Sequence, residues 1–403
     1  YVRDLSRELV RQGHTVDVYT RSQDPCALRV SHSLGASARV IHVPAGPEEL
    51  VSKEVMVEHV PDFAAWVQQF AAQHHRRYDV IHSHYWISGL VAERLREAWG
   101  GIPIVQMFHT LGHMKNQVAQ APHEFATQQR LDAESAILRF ADRIVAGSPL
   151  DKAQTVWHYG ADPHKIAVIP PGVDLTRFRP IGPLEAKSFI DVPPEKRMVL
   201  FVGRIEPLKG IDTLLRAMKT VAAECGGCEG LTVAIVGGDP AVPLEQMSDE
   251  MARLHRLRAE LGIEEMVTFL GKRDQDLLPY YYSAAEVVVM PSHYESFGMV
   301  ALEAMACGTP VIASRVGGLR FSVVHGYTGL HVPVRDAGAL AAAILKLFKN
   351  DPLRWQLSAN SRKVAQSFGW PVITGQIVDL FREAMAEREP QPGVAELADA
   401  AGR

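Results

Sequence analysis

The sequence predicts an α/β protein built of two doubly wound parallel sheets in tandem, and three observations predict it. Short β-branched runs alternate with helix-period stretches along the chain. Most of those runs are continuously apolar, as strands covered on both faces are. A polar, proline-containing stretch at 175–196 then breaks the alternation once, after which it restarts. At 403 residues the chain is too long for one ordinary core and suits two.

The chain opens in a helical pattern, YVRDLSRELVRQGH. Strands are expected at 15–20, 38–45, 79–86, 103–110, 143–149 and 165–174, with helices such as ISGLVAERLREAWG and EFATQQRLDAESAILRFA between them. That order implies right-handed βαβ units. The stretch 175–196 is expected to link two domains. Strands resume at 197–204, 231–238, 266–273, 286–291, 310–315 and 328–334, repeating the architecture without repeating its sequence. The domains are accordingly placed at 1–178 and 197–370, each Rossmann-like, their strand ends facing a ligand cleft. A last helix at 371–388 is expected to pack back on the first domain, and 389–403 to be a flexible tail.

Composition narrows the function classes. Hydrophobic residues at 47% and charged residues at 22% match a soluble globular protein. A formal net charge of -4 supplies no bulk positive field for nucleic acid. No apolar run reaches the roughly 20 residues of a membrane-spanning helix. Four cysteines make no disulfide framework and suit a reducing cytoplasm. Cys225 and Cys228 form a lone C-x-x-C without a redox context or a second ligand pair, and read as a glycine-rich surface loop. No metal ligand set is singled out, and a homodimer is left open. The first residue is Tyr1 rather than Met, so further sequence is expected upstream, and a targeting segment there is left open.

Two constellations carry chemistry. In ESFGMVALEAMACGTPVIASRVGG (295–318) a strand ending at Met290 leads through a loop into a helix starting near Gly298. The amides of Phe297, Gly298 and Met299 lie at that helix's N-terminus, which suits anions and polar hydroxyls. Glu295 can accept hydrogen bonds from sugar hydroxyls and Glu303 from a ribose diol. In GRIEPLKG (203–210) the cations Arg204 and Lys209 occupy a strand-to-helix loop, where they can neutralise a departing diphosphate.

GRIEPLKG, the following VGG at 238 and the 295–318 segment resemble the nucleotide-sugar half of family 4 retaining glycosyltransferases, which adopt the GT-B fold. The resemblance implies that Arg204 and Lys209, after Gly203, hold the donor diphosphate. It further implies that Glu295 contacts the transferred sugar, Glu303 the ribose, and Arg273 the nucleobase, largely through backbone.

In the first half, HSHYWISG (82–89) and FHTLGHMKN (108–116) each run from a strand into a helix, which puts His109 and Thr110 at the carboxyl edge of the sheet. His109 there is expected to bond the transferred sugar, the other reading being a buried structural histidine. Lys53, Tyr85, Thr110 and Arg130 sit in segments that can reach one cleft edge; taken singly each reads as a surface residue, and taken together they would make a phosphate receptor. This grouping, in order, is similar to the acceptor-phosphate site of the D-inositol 3-phosphate glycosyltransferases, which implies UDP-N-acetylglucosamine as donor and an inositol phosphate as acceptor. LGHMKN and RLDAE also resemble the sucrose-phosphate synthases, whose acceptor is fructose 6-phosphate, so a phosphorylated polyol or sugar is the broader expectation. The family's Gly-Gly loop ahead of the first helix is not in this sequence.

The expected reaction is front-face displacement through an oxocarbenium-like state, in which the leaving diphosphate takes the acceptor proton. No cofactor is required beyond the sugar-nucleotide substrate, UDP-linked. Magnesium is compatible but not indicated, because two cations and a helix dipole can do its work. The partners expected are a small-molecule donor and acceptor, with neither nucleic acid nor membrane. The rival class is a nucleotide-sugar-binding protein without transfer activity.

Overall fold

The computed structural model describes residues 1–119, 124–239 and 247–388; the tail expected at 389–403 lies outside them. The described chain divides into two compact units, Pro170–Ile373 and a second formed by Tyr1–Ile169 with residues 374–388.

Pro170–Ile373 holds one six-stranded sheet. Its strands are β8 (Arg197–Val202), β9 (Leu231–Val236), β10 (Val267–Gly271), β11 (Val287–Met290), β12 (Val311–Ser314) and β13 (Gly329–Val332). Hydrogen-bonded neighbours run β10-β9-β8-β11-β12-β13 and every pairing is parallel. Numbered within the unit that order is 3-2-1-4-5-6, so the winding reverses between β8 and β11.

Both faces of this sheet are buried, as the apolar runs require. Val199, Phe201, Val233, Ile235, Val287 and Val289 enter one core with the helix Ile211–Glu224. Their neighbours in sequence, Met198, Leu200, Ala234, Val236, Val288 and Met290, enter the other with the helix Met299–Ala306. Successive strand residues point to opposite faces, so only a strand apolar at every position can be covered twice. In Ile211–Glu224 the residues Ile211, Leu214, Leu215, Met218 and Val221 recur at helical spacing and are fully buried. Each such burial is worth roughly 1.5–3 kcal/mol.

The other unit contains two sheets rather than one continuous sheet. β4 (Ile81–His84), β5 (Ile104–Met107), β6 (Arg143–Ala146) and β7 (Ile166–Val168) are parallel in sequence order. β1 (Val16–Arg21) and β3 (Ala38–Val43) pair in parallel, and the two-residue β2 (Val30–Ser31) adds antiparallel to β3. So short a strand carries no periodicity for a sequence to show. The helix Trp370–Ala386 begins in the one unit and, from Thr374, belongs to the other. Glu387 there pairs with Arg143, and Arg388 Nε donates to Asp142 at 2.8 Å.

The stretch 175–196 is not a free linker. It belongs to the second sheet's unit and carries the helix Pro183–Phe189. Its polar residues are spent on packing contacts: Arg177 pairs with Asp276 at 2.8 Å, and the buried Lys187 reaches Glu286 at 3.1 Å. Polarity alone suggested solvent there, whereas these charges are paired and partly desolvated.

Candidate functional site

In open parallel sheets ligands bind beyond the carboxyl ends of the strands at the point of reversal. Here that point lies between β8 and β11, whose following loops are 203–210 and 291–298. Two features lock these loops together, and a third ties the second of them to the turn at 317–318. The His293 amide donates to the Leu208 carbonyl at 2.8 Å. Gly210 takes φ 64° and lies against Pro291, so that a Cβ there would meet the Pro291 carbonyl oxygen at 2.2 Å. Gly317 takes φ 44°, and a Cβ on it would meet the Glu295 carbonyl oxygen at 1.8 Å, while the Gly318 amide donates to that oxygen at 3.0 Å. Glycine is required at both positions by backbone angle and by space.

The result is a direct contact between the two segments singled out in the sequence. Lys209, at the end of the 3-10 turn Pro207–Lys209, places Nζ 2.6 Å from Glu295 Oε2, both side chains being largely withdrawn from solvent. The helix Met299–Ala306 begins at Gly298 with no side-chain cap, which leaves its first-turn amides available to an anion.

Arg204 is not part of this contact. Its side chain is 78% exposed and pairs with Glu206 at 2.7 Å. Arg273 donates through Nε to the Tyr281 hydroxyl at 3.1 Å and through Nη1 to the Lys272 carbonyl. Glu303 Oε2 accepts from the fully buried Tyr282 hydroxyl at 2.7 Å, and burial pushes its carboxyl up to about 7.

In the other unit, Tyr85 caps the helix Trp86–Ala98 with φ 71°. Its amide donates to the Met107 carbonyl at 2.8 Å, and its carbonyl accepts from Nε2 of the fully buried Gln106 at 3.1 Å. This left-handed conformation is costly for a bulky residue and persists because both backbone groups are held. The ring it presents is flanked by two cations. Lys53 Nζ lies 5.3 Å and the Arg130 guanidinium 5.1 Å from its centroid. The Tyr85 hydroxyl is buried and has no hydrogen-bond partner among the described residues. Arg130 Nη2 donates to the Thr110 carbonyl at 2.8 Å. The structure therefore brings Lys53, Tyr85, Thr110 and Arg130 together.

His109, at φ 61°, faces His84 across 3.1 Å (Nε2 to Nδ1). His84 in turn lies against His82, with ring centroids 4.2 Å apart and the rings tilted by 48°. Burial drives His82 down to about 3 and holds His84 and His109 below the usual imidazole range, so at neutral pH all three are hydrogen-bonding groups rather than cations. His82 and His84 are site neighbours the sequence reading passed over, although a His-x-His at the end of a predicted strand was the available signal. His293 was also passed over. Both its ring nitrogens are buried without a partner among the described residues, beside Gly210.

Cys225 terminates the helix Ile211–Glu224 and Cys228 follows in the next loop; all four cysteines are free. Among the described residues no group of histidine, cysteine, aspartate or glutamate could hold a metal ion, and no helix is long and apolar enough to cross a membrane.

Residues 1–177 match the family described as Glycosyltransferase Family 4, and residues 185–364 the one described as Glycosyl transferases group 1. A D-inositol 3-phosphate glycosyltransferase 2 of Catenulispora acidiphila is 39% identical over 96% of this chain and 90% of its own. The chain belongs to glycosyltransferase family 4. A D-inositol 3-phosphate glycosyltransferase of Geodermatophilus obscurus is 40% identical over 96% of this chain and 84% of its own. Among solved structures, a sucrose-phosphate synthase of Thermosynechococcus elongatus superposes with a TM-score of 0.84 at 37% identity, covering 96% of this chain and 93% of its own. A glycosyltransferase of Rickettsia africae, 20% identical, shares the fold with a TM-score of 0.70 over 96% of this chain and 94% of its own. This family 4 member is an enzyme, a glycosyltransferase of GT-B architecture with two parallel-sheet α/β domains.

Proposed function

We propose that the enzyme moves a hexosyl group from a UDP-sugar to a hydroxyl of a phosphorylated polyol or sugar, with retention at the anomeric carbon. The observation that carries the acceptor half is the Tyr85 ring set between Lys53 and Arg130, its buried hydroxyl lacking a partner. A buried hydroxyl without a partner costs free energy. A phosphate oxygen would satisfy it, and the same dianion would suit two nearby cations. Relatives of this chain that carry the name D-inositol 3-phosphate glycosyltransferase, and a sucrose-phosphate synthase among its structural neighbours, support a phosphorylated acceptor.

The donor half rests on the point of strand reversal. Lys209 faces the β-phosphate of the leaving nucleotide, and the first-turn amides at 297–299 and the Glu295 carboxylate orient the sugar hydroxyls. Departure of the diphosphate separates charge, so fixed positive charge near its oxygens lowers the barrier most. Arg204 joins Lys209 when it leaves Glu206, its exposure leaving it free to swing. Glu303 takes the ribose diol, Arg273 lies toward the base, and neutral His109 bonds the transferred sugar. The leaving diphosphate's oxygen accepts the proton of the attacking acceptor hydroxyl, on the face from which it departs.

The test is a turnover panel on the full-length protein. UDP-glucose, UDP-N-acetylglucosamine and their ADP and GDP counterparts are each offered D-inositol 3-phosphate, fructose 6-phosphate and the dephosphorylated acceptors, with free nucleoside diphosphate and product anomer as readouts. Preference for a phosphorylated acceptor with an α-linked product is expected. Equal use of dephosphorylated acceptors would sink the acceptor assignment, and an inverted product the stereochemical one.

A further inference from the structure

Arg130 of the proposed phosphate receptor belongs to a polar network centred on Glu134. Glu134, on the helix Gln128–Phe140, is fully buried, and both its oxygens are used. Oε1 accepts from Arg130 Nε at 2.7 Å. Oε2 accepts from the Gly112 amide at 2.8 Å and from the Tyr159 hydroxyl. That hydroxyl, at the end of the helix Pro149–Tyr159, also accepts from the His113 amide at 3.2 Å. Gly112 fits closely here: a Cβ on it would meet Leu131 at 2.6 Å and Glu134 Oε2 at 3.1 Å.

Two helices therefore grip one loop and one cation. Arg130 has Nε committed to Glu134 and Nη2 to the Thr110 carbonyl, which leaves Nη1 without a partner among the described residues, on a guanidinium 5.1 Å from the Tyr85 ring. A buried ion pair contributes little to stability compared with apolar residues of the same size. Its selective value lies in orientation. A planar guanidinium held by one edge can turn only its other edge to a ligand, and the carboxylate offsets the cost of keeping that cation out of water before phosphate arrives.

We infer that Glu134, seconded by Tyr159, is a positioning residue for acceptor recognition. It fixes the rotation of Arg130 and, through Gly112 and His113, the backbone of 110–113, so that a phosphate meets a preformed receptor. The inference rests on the acceptor-phosphate reading above and adds to it residues that act through Arg130 and the 110–113 backbone.

The experiment uses the full-length protein with a UDP-sugar and with D-inositol 3-phosphate and fructose 6-phosphate as probe acceptors, each set against its dephosphorylated form. Arg130→Lys comes first, as the test of the underlying reading: it should raise the KM for the phosphorylated probe about tenfold or more. If it leaves the preference for phosphate intact, the phosphate-site reading fails and takes the inference with it. Where Arg130→Lys does act, Glu134→Gln is expected to raise the same KM about tenfold with kcat nearly unchanged, and to narrow the preference for the phosphorylated probe. A purely structural role predicts instead that both probes lose alike, through kcat or through the yield of folded protein. An unchanged preference, or a parallel loss on both probes, overturns the inference. Tyr159→Phe keeps the ion pair and removes one donor, so it remains readable should Glu134→Gln not fold. A rise of about threefold confined to the phosphorylated probe is then expected, and no rise overturns the proposal.

Discussion

Lys209 Nζ and Glu295 Oε2 lie 2.6 Å apart although 86 residues separate them in the chain. The contact spans the two loops that follow β8 and β11, the neighbouring parallel strands between which the winding reverses. A lysine already paired with a carboxylate is held in place before any ligand arrives. An incoming diphosphate has to compete for a cation whose position is fixed, and a fixed charge is what a charge-separating step gains from most.

Lys209→Ala should therefore lower kcat by about 10²–10³-fold, the usual cost of losing one preorganised stabilising group. The acceptor KM should move little, because the acceptor residues lie in the other unit. Steady-state kinetics with the acceptor varied at saturating donor gives the answer, and full turnover in the alanine variant would remove Lys209 from the mechanism.

Tyr85→Phe separates function from stability. Its hydroxyl is buried without a partner among the described residues, so deleting it removes a desolvated group rather than a bond, and the melting temperature should hold steady or rise. Affinity for the phosphorylated acceptor should fall by about tenfold, the worth of one hydrogen bond to a charged group. A melting temperature that drops while the acceptor KM stays put would show a structural hydroxyl instead.

Glu303 gives a pH signature. Burial raises its carboxyl to about 7 in the folded protein, against about 4.3 for an unfolded glutamate. Between those values the folded state binds the extra proton. The group's contribution to stability is thus full below the lower value and is lost as pH rises through the upper one. Glu303→Gln keeps a carbonyl for the Tyr282 hydroxyl and removes the titration, so it should flatten the decline in melting temperature over this window. Donor KM should rise about tenfold, since an amide accepts more weakly from a diol than a carboxylate does. Superimposable stability profiles for variant and parent would contradict the assigned shift.

Gly317→Ala tests the backbone that carries Glu295. A methyl group there would sit 1.8 Å from the Glu295 carbonyl oxygen on a residue at φ 44°. A loss of about 2 kcal/mol or more is expected, with activity falling further because the Lys209 partner is displaced. Unfolding by denaturant together with kcat reads both effects. An alanine variant of parent stability would mean that the loop has room the structure denies it.

The sequence carried much of this by itself. Every one of the apolar runs in the second half is a strand, because a strand covered on both faces has to be apolar at each position, and that requirement is written residue by residue. The glycines of GRIEPLKG and VGG, and the glutamates between Met290 and Gly318, were equally legible. Gly210 and Gly317 were legible as glycines, although the Pro291 and Glu295 carbonyls that leave no room for a side chain there come from distant parts of the chain.

Tertiary structure decided the rest, because it depends on which distant groups share a space. Pattern cannot tell that Lys209 meets Glu295 while Arg204 turns to Glu206, since both cations lie on one loop and only packing separates them. The polar stretch at 175–196 looked like a linker because its charges showed no partners within reach along the chain; Asp276 and Glu286, about a hundred residues on, supply them. The split of the first seven strands into two sheets, the crowding of His82 and His84 against His109, and the grip of Glu134 on Arg130 are likewise matters of burial and pairing. Those energies are set by neighbours brought together in the fold, and a linear sequence does not name its neighbours.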